Sequence, residues 1–316
     1  MTGARGPTWA DLGAELGAGG LRVVVGEPIG PLTTYRVGGP AALSVRISDA
    51  AELAVAAGVL SGHPVVDVLV VGNGSNLLVA DDGFAGVAVL LGDGFEAVDV
   101  DARTGMVVAG GRASLPVVAR RSAAAGLRGF EWAVGVPGTI GGAVRMNAGG
   151  HGSDMAASLQ WVRVVDLATG EDVKVPLADL DLSYRHSAIR SSQVVVDASL
   201  RLRVGERAVA EAEIAEIVRW RREHQPGGPN AGSVFANPPG DSAGRLIDAA
   251  GCKGLRLGSA VISEKHANFI QVDAGGRADD VIALMGAVRR RVAERFGVDL
   301  HPETVVVGTD VGGSGR

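Results

Sequence analysis

Residues 134–152 constrain this chain more than any other part of it. They read VGVPGTIGGAVRMNAGGHG, seven glycines with Pro137, Arg145 and Asn147 set among them. Glycine has no Cβ, so such a segment makes turns that other residues cannot and brings many backbone N–H groups close to a ligand. A pyrophosphate has those needs, since converging amide dipoles satisfy its charged oxygens. A second string of the same character precedes it. Residues 68–79 read VLVVGNGSNLLV, with one apolar run leading into Gly72-Asn73-Gly74-Ser75-Asn76 and another leading out. Neither string is a Walker sequence, because no Gly-Lys-Ser/Thr follows, and neither carries G-x-G-x-x-G between a strand and a helix. Together they point to phosphate binding outside the common nucleotide folds.

A chain of 316 residues has room for two domains, or for three small ones. Hydrophobic residues make up 47% of it, which supplies packed cores and excludes global disorder. The formal net charge of −5 argues against a nucleic-acid protein, so the positive groups for an anionic ligand must be local. The single Cys252 excludes an intramolecular disulfide and a cysteine-rich metal site, and it reads as a small buried hydrophobe. Asp11 and Glu15 interrupt the N-terminal region where a signal peptide would be apolar. No apolar run approaches the roughly 18 residues of a membrane span. The expectation is a soluble cytoplasmic protein, without metal, membrane or nucleic-acid partner.

The periodicity predicts a helix after Asp49 and Glu52, on the pattern Leu53, Ala56, Leu60, ending at Gly62. Strands are expected at 66–71, 87–91, 106–109, 159–166 and 193–204. Helices are expected from Ser114 to Gly126 and over 207–224. Pro226-Gly227-Gly228-Pro229 is the clearest break. Beyond it a helix near 242–250, a β-rich piece at 260–272 and a helix over 279–296 closed by Gly297 form a compact unit. The linear division is 1–91, 92–205 and 206–307, with 308–316 as a disordered tail.

Four further strings matter: Tyr184-Arg185-His186-Ser187, Pro229-Asn230-Ala231-Gly232-Ser233-Val234-Phe235, Ser263-Glu264-Lys265-His266-Ala267-Asn268-Phe269-Ile270, and His301-Pro302-Glu303. With the two glycine strings, and in this order, they closely resemble the UDP-N-acetylenolpyruvoylglucosamine reductases, flavoproteins of early peptidoglycan synthesis. The match runs from about Pro31 to Val307. The resemblance implies an α+β chain: a two-subdomain FAD-binding fold of the vanillyl-alcohol-oxidase (PCMH) type, followed by a C-terminal α+β substrate-binding domain. It also implies non-covalent FAD, NADPH as co-substrate, and reduction of the enolpyruvyl group of UDP-N-acetylglucosamine enolpyruvate to UDP-N-acetylmuramate. A monomer is expected.

Such a reduction adds hydride to the terminal carbon of the double bond and a proton to its neighbour, so it needs enolate stabilisation and a proton donor. By position in the family's strings, Ser233 matches the proton donor, although a serine after Gly232 taken alone is more often a turn cap. Arg185 matches the arginine that grips the substrate carboxylate and the enolate through its planar fork. Taken alone it is a solvated arginine at a strand end. Glu303 matches the C-terminal catalytic glutamate, which would have to be protonated, or orient Arg185 or a water, rather than repel an enolate. Tyr184, His224, Asn230, Lys265, His266 and Asn268 fall at substrate-binding positions. Flavin contacts are implied at Tyr35, Arg36, Gly72, Asn73, Gly74, Ser75, Asn76, Gly135, Gly138, Thr139, Ile140, Gly142 and Arg221. For Tyr35, core packing is an equal alternative.

The chain departs from the family at two places. Ala236 stands where many members have a lysine after the phenylalanine of the serine string, which would leave Lys265 or Arg245 to supply that charge. The connection over 200–211 is short and carries no tyrosine, unlike the subtype whose inserted loop folds over substrate. Two other functions stay open on sequence. One is an FAD oxidase or dehydrogenase of the same superfamily, disfavoured because no histidine for covalent flavin attachment lies in the GNGSN string. The other is a catalytically inactive flavin or UDP-sugar binding protein, disfavoured by the joint presence of Ser233, Arg185 and Glu303.

Overall fold

A computed structural model describes residues 8–309; residues 310–316 of the expected tail lie outside the described residues. Two compact units are present. The first takes in the chain up to Glu27, Ala41–Gly72 and Ala85–Ile217; the second takes in Pro28–Pro40, Asn73–Phe84 and the chain from Val218 on. This differs from a linear division, because two short N-terminal segments fold with the C-terminal residues. The cause is long-range pairing. Leu77–Val79 pairs in parallel with Val305–Val307, and Tyr35, Val37 and Leu78 share a core with Val234, Phe235 and Leu300.

The first unit holds two sheets. One has the order Arg22–Val25, Ala41–Ile47, Phe84–Leu91, Val68–Val71, with an antiparallel first pair and a parallel last pair. The other is a five-stranded antiparallel sheet in the order Asp172–Pro176, Leu159–Asp166, Gln193–Arg201, Met106–Gly110, Val98–Asp101. Val165, Leu167, Val194 and Val196 reach one core with Leu43, Val45, Val87 and Val89, so the two sheets bury a common face. Helix Ala50–Leu60 closes it with Leu53, Ala56 and Leu60. The Asp49 carboxylate accepts the N–H groups of Ala51 and Glu52, as an N-cap should. The Glu52 carboxylate takes the N–H of Ser48 rather than that of Asp49.

In the second unit, helix Ala278–Phe296 buries Val281, Leu284, Met285, Val288 and Val292, the three-and-four spacing of one helix face. Gly297, in the left-handed region at φ 67°, ends it. That face covers a sheet of Arg256–Leu257, Ala260–Ile262 and Ile270–Val272 and the helix Ala243–Ala249, which Ser242 caps. Among the described residues no helix is long and apolar enough to cross a membrane, and no three metal-ligating side chains cluster.

Candidate active site

In the first unit the glycine-rich string is stitched to the sheet through its own backbone. Ile140 N–H donates to Ala113 O (2.9 Å), Gly141 N–H to Gly111 O (2.8 Å), and Leu115 N–H donates to Gly138 O (3.0 Å). Thr139 caps the helix Ile140–Met146 by accepting the Gly142 N–H. The two glycine strings meet here: Gly72, at the end of Val68–Val71, lies so close that a Cβ on it would stand 2.7 Å from Thr139 Oγ1. Gly142, one turn before Arg145, is exposed, and a Cβ there would meet nothing nearer than Thr139 Oγ1 at 3.5 Å. Bare backbone therefore faces open space. Arg145 makes no ion pair among the described residues, and burial pushes its guanidinium down from the usual arginine range. The N–H groups of Ile140, Gly141 and Gly142 are already paired, so glycine here supplies close approach and Arg145 supplies the uncompensated charge, a combination that fits the diphosphate of FAD.

The string Tyr184-Arg185-His186-Ser187 forms a tight turn on the end of that helix. Ser183 and His186 exchange N–H···O bonds of 3.1 Å, leaving Tyr184 and Arg185 at the tip. Tyr184 is exposed, and the Arg185 guanidinium lies 5.3 Å from its ring centroid. Arg185 has φ +57°, in the left-handed region that a side chain with a Cβ rarely occupies.

The division between the units falls inside the GNGSN string, after Gly72. In the second unit Gly74, at φ +57°, would place a Cβ 2.6 Å from Thr33 Cα, and its carbonyl accepts from the Thr34 N–H. The TTYRVGG string thus docks on Gly74. Tyr35 is wholly buried in this unit's core, and desolvation raises its phenol far above the usual range. It presents no surface to a flavin, whereas its neighbour Arg36 is exposed at φ +60°.

Ser233 and Glu303 are brought together by a short ladder. The Val234 carbonyl accepts from the N–H groups of Glu303 (2.8 Å) and Thr304 (3.3 Å), and the Ala236 N–H donates to His301 O (2.9 Å). On the other side Val234 N–H donates to Asn268 O (2.9 Å). Asn268, 4% exposed, then grips Phe235 twice: Oδ1 accepts its N–H (3.0 Å) and Nδ2 donates to its carbonyl (2.8 Å). Asn76 completes the arrangement, with Nδ2 donating to Glu303 O (3.0 Å). Four strings far apart in sequence therefore share one backbone network. Ser233 is half-buried, and its hydroxyl makes no hydrogen bond among the described residues.

Several residues expected to touch ligand use their side chains on the protein itself. Asn230 donates to Gly228 O (2.9 Å) and accepts from the Gly232 N–H (3.0 Å), shaping the loop that leads to Ser233. His266 accepts the Asn268 N–H and packs edge-on to Phe269; burial, then the nearby Lys253 charge, lowers its pKa. His224 is exposed and stacks on Trp220 at the end of helix Arg207–His224. Arg221, on the same turn, is pushed down by burial. The two cations offered in place of the missing lysine are engaged: Arg245 grips Asp241 with both faces of its fork, and Lys265 Nζ donates to Arg222 O. The positioning asparagines are the feature that sequence reading missed, since their partners are backbone groups of distant segments.

With this geometry in place, comparison with known proteins is specific. The C-terminal domain model of UDP-N-acetylenolpyruvoylglucosamine reductase matches residues 223–307, and an FAD-binding domain model matches residues 41–175. The chain is 44% identical over 292 residues to the UDP-N-acetylenolpyruvoylglucosamine reductase of Heliobacterium modesticaldum, covering 91% of each protein. It is 42% identical over 303 residues to that of Acidiphilium cryptum, covering 96% of each. The crystal structure of the Thermus caldophilus enzyme superposes with a TM-score of 0.77 at 36% identity, over 91% of this chain and 98% of that one.

Proposed function

The chain belongs to the UDP-N-acetylenolpyruvoylglucosamine reductase family, and from that premise we propose that it reduces UDP-N-acetylglucosamine enolpyruvate to UDP-N-acetylmuramate at the expense of NADPH. Its fold is α+β, a two-subdomain FAD-binding fold with a C-terminal α+β domain. FAD, held without a covalent link, would supply the hydride-transfer chemistry that links NADPH to the terminal carbon of the enolpyruvyl double bond.

The side chains supply the rest. Arg185, half-buried at the tip of its turn, would grip the substrate carboxylate and spread the enolate charge that appears as hydride arrives. Ser233 would give its hydroxyl proton to the adjacent carbon. A serine hydroxyl is a weak acid, so this step needs charge stabilisation around the resulting alkoxide. Glu303, held on the neighbouring segment, would relay the replacement proton, or orient the group that does. Gly72, Thr139, Gly142 and Arg145 would hold the cofactor. His224, exposed at the end of helix Arg207–His224, would contact the UDP-sugar. The same reading makes the protein a monomeric enzyme of the cytoplasm, acting in cell-wall precursor synthesis.

The observation that carries this proposal is the hydrogen-bonded ladder joining the Ser233 and Glu303 segments. The test is anaerobic and uses the flavin band. NADPH should bleach it and the enolpyruvyl substrate should restore it. Ser233→Ala should keep the bleaching and lose the restoration. Bleaching without restoration in the parent protein would move the substrate elsewhere, toward another oxidoreductase of the superfamily. No flavin band after supply of FAD would overturn the reading as a whole.

A further inference from the structure

Arg185, at φ +57°, stands in the left-handed region, which is unfavourable for a residue with a Cβ. It does so at the tip of a four-residue turn whose neighbour Tyr184 is exposed. A strained, exposed turn keeps one geometry only if its surroundings over-determine it. Side-chain contacts do so, and Arg185 Nη2 itself donates to the Gly149 carbonyl (3.4 Å). Ser187 Oγ donates to the carbonyl of Arg145 (2.7 Å), and Asn147 Nδ2 donates to the carbonyl of Ser183 (2.9 Å), the same oxygen that closes the turn from His186.

We propose that Asn147 is the positioning residue for Arg185, locking the turn that presents the guanidinium to substrate. The proposal rests on the reading of Arg185 given above. Asn147 is 3% exposed and sits at φ 38°, ψ 55°, ending the helix Ile140–Met146. Its Oδ1 accepts the Ala156 N–H (3.0 Å), and its Nδ2 also reaches Asp154 Oδ2 (3.4 Å). One amide thus ties three segments: the end of the glycine-rich helix, residues 154–156, and the arginine turn. The site demands a residue that tolerates left-handed backbone and carries a donor and an acceptor together. Asparagine meets that demand. Aspartate keeps the backbone and the acceptor but turns the donor against Ser183 into a second acceptor, and glycine keeps only the backbone. These two substitutions therefore separate the clamp from the strain of the helix end.

The experiment compares N147D, N147G, R185A and the double variant N147G/R185A as flavin-loaded enzymes. Flavin content, bleaching by NADPH, restoration by substrate and the substrate-induced difference spectrum of the oxidised enzyme are measured. N147D and N147G should keep parental flavin content and bleaching, weaken substrate binding about 10-fold and slow restoration about 10- to 100-fold, as a small misplacement of a reacting partner does. Adding N147G to R185A should change restoration by less than about twofold, since the two act through one contact. Parental restoration in N147G, equal losses in bleaching and restoration, or a loss that multiplies with that of R185A would each overturn the proposal. Parental restoration in R185A would instead refute the role of Arg185, whatever N147G does.

Discussion

Removing the Asn268 amide tests whether the Ser233 strand is held as described. Phe235 is 1% exposed and Asn268 4% exposed, so Asn268→Ala strands the Phe235 N–H and C=O in the core without water. Each buried backbone group left unpaired costs about 1–3 kcal/mol, so the pair costs roughly 2–6 kcal/mol, near the upper end of single-residue effects. Asn268→Asp separates the two bonds. Its buried carboxyl would titrate above the ordinary aspartate value of about 3.9, because desolvation disfavours the anion and the Phe235 carbonyl repels it. When protonated, it can donate to that carbonyl and accept from the N–H, as the amide does. The sign follows. The folded state binds the proton more tightly than the unfolded chain, so stability is greatest at low pH and is lost as pH rises through the raised folded pKa. Urea unfolding at about pH 5 and about pH 8 should therefore show N268D approaching the parent at the lower pH and N268A equally weak at both. On the role proposed for Ser233, the flavin-restoration step should fall in parallel. Parental stability in N268A, or an N268D penalty that does not change with pH, would refute the two-bond clamp.

Gly72→Ala would force a Cβ to 2.7 Å from Thr139 Oγ1, a contact relieved by turning Thr139 away from the Gly142 N–H it caps or by shifting the glycine strings apart. Purified G72A should therefore carry much less FAD than the parent at equal fold content, read from the flavin-to-protein absorbance ratio. His266 has a lowered pKa, from burial first and the Lys253 charge second, so the unfolded chain binds its proton more readily than the folded protein does. Its contribution to stability is complete above about pH 6.5 and is lost as pH falls toward the folded pKa. Urea midpoints should drop between about pH 7.5 and about pH 5, and His266→Gln should flatten that slope.

The regular elements were legible where a local pattern fixes them. Asp49, Ser242 and Gly297 mark their helix ends in the sequence, and each does so in the structure through a cap within a few residues. Leu77–Val79 and Val305–Val307 were not legible, because strands of three residues carry no periodicity and their pairing partner lies across the chain. That pairing moves Asn73–Phe84 into the second unit. At the candidate site, residue types in family strings could be read, but side-chain direction could not. Asn230 and Asn268 look in sequence like substrate contacts, and in the structure their amides serve the backbone beside Ser233. Tyr35 lies within a string tied to the flavin, yet an aromatic ring satisfies a core as readily as a cofactor, and here the core has it.

Charge is the remaining link between composition and site. A chain of net charge −5 that binds a diphosphate needs cations not already spent on carboxylates. Several arginines are spent in this way: Arg46 on Glu27, Arg112 on Asp93 and Glu96, Arg163 on Asp172, Arg190 on Asp166, Arg256 on Asp273. Arg145 and Arg221 differ. Both are shifted downward by burial alone, with no carboxylate among the causes. A guanidinium stays protonated under these conditions, so its lost hydration is an unrecovered cost in the folded protein. An anion arriving at either group recovers that cost, whereas an anion arriving at Arg163 must first displace Asp172. The two arginines lie on the glycine-rich helix and on the last turn of helix Arg207–His224. These are therefore the two places where burial leaves a cation uncompensated, and the overall acidity of the chain does not oppose an anion there, since exposed charges beyond about 10 Å are screened.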